Sequence, residues 1–303
     1  MTEREANTVT REYLDSLYFE ERLIGAKRAD TQISLFGEAF STPVMMAAFS
    51  HLGPYAEGRD SGLVEYSRAM KEIGAVNMIG MCENEIYREV AAVGARTIRI
   101  IKPYEERDKI FSQLKCAEMA GALAVGMDID HIFGRDGEYD ICLGEHMTFQ
   151  TEEMLRDYVD YTSLPFVLKG VLSVQDAVKA ARIGASAILV SHHHGRLPYA
   201  IPPVLVLPEI RRAVEGSGMK IFVDCGIRSG YDAFRAIALG ADGVSVGREM
   251  LEPLKKDGTQ GVKQYFEKLT RELRAVMNYT GTASPEEADL SLLYDIRTGR
   301  HPW

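Results

Sequence analysis

PFVLKG (165–170) and AILVSHHHGR (187–196) are two apolar, β-branched runs. They are separated by VLSVQDAVKAARIGAS (171–186), which carries apolar residues at helical spacing. Together they read as one strand–helix–strand unit, with Lys169 at the end of the first strand and three histidines and an arginine at the end of the second. An unpaired charge within a sheet would lose on the order of several kcal/mol of solvation, so Lys169 and His193 belong where the strands leave the core. The ends of these strands therefore face a polar site.

The same pattern repeats along the chain. PVMMAAFS (43–50), AVNMIGM (75–81), TIRIIKP (97–103), ALAVGMD (122–128), PFVLKG, AILVSHH, KIFVDCG (220–226) and GVSVGRE (243–249) are eight short apolar runs. Helix-like segments such as GLVEYSRAMKEIG and GYDAFRAIALG lie between them and close on glycine. Eight such units predict an α/β fold, a closed (β/α)8 TIM barrel. An open doubly wound sheet would share the alternation, but the count and the lack of GxGxxG after the first strand favour the barrel. The expected organisation is a single domain, 1–303: a lead-in over 1–42, a barrel core over 43–250, and a last helix and tail over 251–303. TQISLFGEAF in the lead-in alternates around Phe36–Gly37 and predicts a tight turn.

At 303 residues and a net charge of −9 the chain offers no electrostatic footprint for nucleic acid or an anionic membrane, so a small-molecule partner is expected. Cys82, Cys116, Cys142 and Cys225 lack metal-ligand spacing and read as reduced thiols. No apolar run approaches the ~18 residues of a membrane span, and MTEREANTVTREY lacks the apolar centre of a signal peptide. A cytoplasmic protein is expected.

In a barrel the active site lies at the C-terminal strand ends. Those ends supply Lys102, Asp128, Lys169, His193 with Arg196, Asp224 with Arg228, and Arg248. DCGIRSG (224–230) and VGR (246–248) each place glycine and arginine before a helix, where free amides and the helix dipole favour a phosphate. Turn-forming glycines alone would be the plainer explanation, but two adjacent loops carry the matched pair.

From Leu164 to Ser284, with SHHHGR, DCGIRSG, VGR and MNYTGTAS as its strongest motifs, the chain resembles the FMN-dependent 2-hydroxy-acid oxidases and dehydrogenases. The resemblance implies FMN as cofactor, oxidation of a 2-hydroxy acid to the 2-oxo acid, and a homo-oligomer, a tetramer. It implies His193 as the base, Asp128 as the carboxylate that orients it, and Lys169 beside the flavin. Arg196 and Arg135 would grip the substrate carboxylate, while Ser191, Asp224, Gly226, Arg228, Gly247 and Arg248 would join Lys169 in holding FMN. No metal is expected, since adjacent strand-end histidines point in different directions.

The chain also departs from the family pattern. His192 and His194 flank the base where the family has asparagine and a small residue, which alters the pocket beside it. Arg99 and Lys102 stand where the family carries a glutamine and tyrosines, and a YYAGGA-like N-terminal motif is missing. The added positive charge suggests a larger or dianionic substrate, unless Arg99 pairs internally with a barrel carboxylate. Two other readings are an FMN barrel of the type 2 isopentenyl diphosphate isomerase kind and a flavin- or phosphate-binding module without catalysis.

Overall fold

All eight apolar runs are strands of one parallel sheet in the computed structural model, which describes residues 5–302; Met1–Arg4 of the lead-in and Trp303 of the tail lie outside it. The strands are β1 (Val44–Met46), β2 (Asn77–Ile79), β3 (Thr97–Ile101), β4 (Ala124–Asp128), β5 (Phe166–Val171), β6 (Ala187–Val190), β7 (Lys220–Val223) and β8 (Gly243–Val246). Neighbours in sequence are neighbours in the sheet, and β8 pairs with β1 through Val244 and Val44. The ring closes between β1 and β2, where Met46 N–H donates to Val76 O and Phe49 bridges Ile79. This is the predicted TIM barrel.

Alternation along each strand divides the apolar residues into two sets. Met45, Met78, Ile98, Ile100, Val167, Leu189 and Phe222 fill the barrel. Val44, Ile79, Ile101, Val125, Leu168, Ile188, Val223 and Val244 face the surrounding helices. The helices are α1 (Ala6–Ser16), α2 (Gly62–Ile73), α3 (Asn84–Ala92), α4 (Arg107–Met119), α5 (Glu152–Tyr161), α6 (Val174–Arg182), α7 (Pro203–Ala213), α8 (Gly230–Ala238) and α9 (Leu251–Tyr279), the last kinked at Gly258. Four of them start on a hydroxyl cap, from Ser61, Thr151, Ser173 and Ser229, each accepting a bond from an otherwise free first-turn amide. No described helix is long and apolar enough to cross a membrane.

The lead-in covers both ends of the barrel. Ile33–Leu35 and Glu38–Phe40 form a hairpin whose turn residues Phe36 and Gly37 both have positive φ, and Ile33, Leu35 and Phe40 plug the N-terminal end. Helix α1 instead lies at the C-terminal end, where Arg11 donates to Gly226 O and forms a two-point ion pair with Asp232. The tail returns to the lead-in, with Leu293–Asp295 pairing antiparallel to Leu17–Phe19.

Alternation also corrects the expectation for Arg99. It lies between Ile98 and Ile100, both of which face the interior, so its side chain points outward into the helix layer. There it is fully buried, donating to Asn84 Oδ1 and to the carbonyls of Cys82 and Gln113, with its guanidinium 4.4 Å from the Tyr87 ring centre. It neither reaches the mouth nor pairs with a barrel carboxylate. Removing a buried, hydrogen-bonded cation strands its acceptors, so Arg99→Ala is expected to lower stability by about 3 kcal/mol or more. Denaturant unfolding alongside FMN titration checks this: weaker FMN binding at unchanged stability would contradict it.

Candidate active site

The interior faces of β3, β4 and β5 end in Lys102, Asp128 and Lys169, and these three side chains meet. Lys102 Nζ donates to one Asp128 oxygen at 2.7 Å and Lys169 Nζ to the other at 2.8 Å. All three are nearly inaccessible to solvent. Burial raises the Asp128 carboxyl pKa, but the two ammonium charges outweigh it and hold the value well below the ordinary range. Burial likewise lowers the Lys169 pKa, and Asp128 and Asp130 more than reverse it.

His193 is served by a different carboxylate from the one expected. Its Nδ1 lies 2.6 Å from Asp130 Oδ1 and 3.6 Å from Asp128 Oδ1. Lys169 Nζ is also 3.1 Å from Nδ1, but one ring nitrogen cannot accept from the lysine and donate to the carboxylate at once. The shorter contact, to the anion, assigns the proton to Nδ1 and leaves Nε2 as the basic nitrogen. Burial and Lys169 lower the His193 pKa, yet Asp128 and Asp130 raise it more, so it lies above 6.5. The sequence reading missed Asp130. It follows the strand end in a single helical turn, Ile129–His131, and needs a space made elsewhere: Gly170, at the irregularity in β5, has φ +91° and would place a Cβ within 2.6 Å of the Asp130 carboxylate.

His193, His194 and Gly195 follow one another with φ of +43°, +59° and +74°. Such a turn costs of order 1–3 kcal/mol for each non-glycine residue and persists only where its surroundings enforce it. Here they do. Ser191 Oγ accepts from His193 N–H, His192 Nδ1 accepts from Gly195 N–H, and Asn7 of α1 donates to His194 O. With Nδ1 an acceptor, His192 Nε2–H donates to Thr10 Oγ1 at 3.0 Å, and burial lowers the ring's pKa. His192 is therefore a buried brace between the turn and α1 rather than a wall of the pocket. His194 does line the pocket; its Nδ1 meets Asn7 Oδ1, and Nε2 accepts from Arg248.

A cavity of about 540 Å³ opens above this cluster. Lys102, Asp128, Lys169, His193, Asp224, Gly226, Gly247 and Arg248 line it, as do His131 and Cys142 from the segment after β4, which sequence reading did not single out. The other expected contacts lie off the wall. Ser191 supports the turn, Arg228 sits at the rim against Glu249 at 3.1 Å, and Arg135 is exposed, without a hydrogen bond or ion pair among the described residues but with its charge felt by His194 on the cavity wall. Arg196 is bonded to Asp140 and to Phe133 O.

The residues present fit FMN. Ser245 Oγ is buried without a partner on the cavity wall, and the amides of Gly226, Ile227 and Gly247 meet no protein acceptor among the described residues. These donors beside Arg248 suit a phosphate, and Lys169 suits the negative charge of a reduced flavin. Two clusters also carry metal-ligating atoms, Asp128–Asp130–His131–His193 and His131–Asp140–Cys142. In the first, lysine ammoniums already supply the positive charge; in the second, Arg196 does.

A model of the family described as FMN-dependent dehydrogenase matches residues 2–157 and 143–295. The 4-hydroxymandelate oxidase of Amycolatopsis orientalis is 31% identical over 288 residues, covering 84% of this chain and 80% of that protein. Glycolate oxidase 3 of Arabidopsis thaliana is 29% identical, covering 88% and 81%. Among solved structures, a mandelate oxidase variant with a monooxide FMN adduct superposes with a TM-score of 0.84 at 31% identity, covering 95% of this chain and 90% of that one. A mandelate oxidase with benzoyl-formic acid gives 0.84 at 30% identity, covering 95% and 89%.

Because its folded pKa is raised, protonated His193 contributes stability that is present below about pH 6.5 and is lost as pH rises through the folded value. An NMR titration of the imidazole signals is expected to place His193 above 6.5 and His192 and His194 below it. Asp130→Asn should lower the His193 value. A value that stays fixed in Asp130→Asn and falls only in Asp128→Asn would contradict the assignment.

Proposed function

The chain belongs to the FMN-dependent dehydrogenase family, and on that premise we propose that it oxidises a 2-hydroxy carboxylic acid to the 2-oxo acid with FMN bound at the barrel mouth. The observation that carries the reading is His193, on the cavity wall, with Nδ1–H committed to Asp130 and Nε2 left basic. FMN, when bound, supplies the two-electron acceptor.

The chain's residues do the rest. His193 takes the proton released from the substrate, and Asp130 stabilises the imidazolium that results. Lys169 places a fixed cation where the flavin gains charge, and Asp128, with Lys102 behind it, fixes that cation's position. Gly226, Gly247 and Arg248 hold the phosphate, with Arg228 at the rim, while Asp224 offers a carboxylate to a ribityl hydroxyl. Ser191 acts through the turn that carries His193. Arg196 holds the substrate carboxylate, a two-point task suited to a guanidinium, and Arg135 has no assigned contact in this reading. Assembly as a homo-oligomer in the cytoplasm belongs to the same proposal, supported by the family resemblance and by four unpaired cysteines.

Purified protein is expected to be yellow, to release a mononucleotide flavin, and to bleach anaerobically with a 2-hydroxy acid such as mandelate or lactate. His193→Ala should keep the flavin and lose at least about a hundredfold in bleaching rate. A protein that takes up FMN but is bleached by no member of a broad panel of 2-hydroxy acids would overturn the reading.

A further inference from the structure

Arg196, to which the reading above gives the substrate carboxylate, already holds one. Its guanidinium donates to Asp140 Oδ2, and the same oxygen accepts from His131 Nδ1 at 2.8 Å and from Cys142 Sγ at 3.1 Å. The pair is mostly buried, with side-chain exposures of 20% and 16%. Burial raises the Asp140 pKa, but the thiol, the imidazole and the guanidinium hold it at about 2, so the group is an anion throughout the neutral range. Asp140 belongs to no barrel strand or helix. It sits in the segment between β4 and α5, beside the small hairpin formed by Ile141–Cys142 and Glu145–His146. Phe133, whose carbonyl takes the other Arg196 contacts, is in the same segment. His131 and Cys142 line the main cavity, so Asp140 lies directly behind two of its wall residues.

We propose that Asp140 is an internal competitor for Arg196 that stands in for the substrate carboxylate, occupying the guanidinium until a 2-hydroxy acid displaces it. This rests on the assignment of Arg196 to the substrate. The exchange replaces one carboxylate with another at the same guanidinium, and Arg196, His131 N–H and Cys142 S–H remain as donors for the incoming group. An uncharged analogue offers nothing to replace the broken ion pair. Asp140 thus imposes one displacement cost on every ligand of Arg196, which a carboxylate can repay and an uncharged analogue cannot, so that only carboxylates keep a useful affinity.

The test uses FMN-loaded protein with acetate and acetamide as probes, followed by perturbation of the flavin spectrum. Asp140→Asn keeps the side chain's shape and removes its charge. It should tighten acetate by about tenfold or more, because a charge-assisted bond no longer has to be displaced, and tighten acetamide by a similar factor, because the relieved displacement is the same for both. The KM for a 2-hydroxy acid should fall with acetate's dissociation constant while kcat changes little. Unchanged or weaker acetate binding would overturn the proposal, as would a gain for acetate that acetamide does not share, which would mark loss of a nearby negative charge rather than of a competitor. Asp140→Ser serves the same test if the asparagine variant fails to fold. Arg196→Ala separates the premise: it should abolish acetate binding with or without Asp140, and undiminished binding would remove the assignment of Arg196 and the proposal with it.

Discussion

Asp128 lies between two lysines with almost no access to water, and the site depends on that arrangement. Three charges from three adjacent strands are buried where desolvation is expensive, so each is tolerable only while the others are present. Loss of one partner from such a group costs about 3–5 kcal/mol. The lysines hold Asp128 at 2.7 and 2.8 Å, and it lies 3.6 Å from the imidazole, so it acts on His193 mainly through its charge. The imidazole is held instead by Asp130, in a place opened by a glycine on the next strand. The two aspartates share the work unequally: Asp128 takes both lysines, and Asp130 takes the imidazole, with a longer contact of 3.4 Å to Lys169.

The second constraint is the left-handed turn through His193, His194 and Gly195. A free chain would not keep this conformation. Helix α1 secures it, with Asn7 on His194 and Thr10 on His192, and Arg11 ties the same helix to the β7 loop and to Asp232. A segment that precedes the barrel in sequence thereby sets the orientation of a side chain almost two hundred positions later. The histidines that flank His193 serve this purpose, one as a buried brace and the other as a link between α1 and Arg248.

The barrel was legible because strands buried on both faces read as nearly unbroken apolar runs, and all eight runs became strands. Asp128, Lys169 and His193 were legible as ionisable residues at the ends of such runs. Arg99 was misplaced although strand alternation could have corrected it: Lys102 is an odd number of positions away, so the two side chains cannot share a face. Asp130 had no local signal, since its role depends on a glycine forty residues on. The directions of His192 and His194 follow from a strained turn that composition does not announce. The pairing of Arg196 with Asp140 joins two loops and is visible only once both are placed.

The division of work between the two aspartates is tested most directly by the pH dependence of anaerobic flavin reduction, measured in parallel for the native protein, Asp130→Asn and Asp128→Asn. A neutral His193 is required, so the rate should rise with pH through a pKa above 6.5 in the native protein. In Asp130→Asn that limb should move to lower pH, with a reduced plateau as the imidazolium loses its partner. In Asp128→Asn, where the lysine anchor is lost, flavin affinity should fall, and the limb should also move to lower pH because the Asp128 charge helps to raise the imidazole's pKa. A limb that moves in Asp128→Asn and stays fixed in Asp130→Asn would contradict the account.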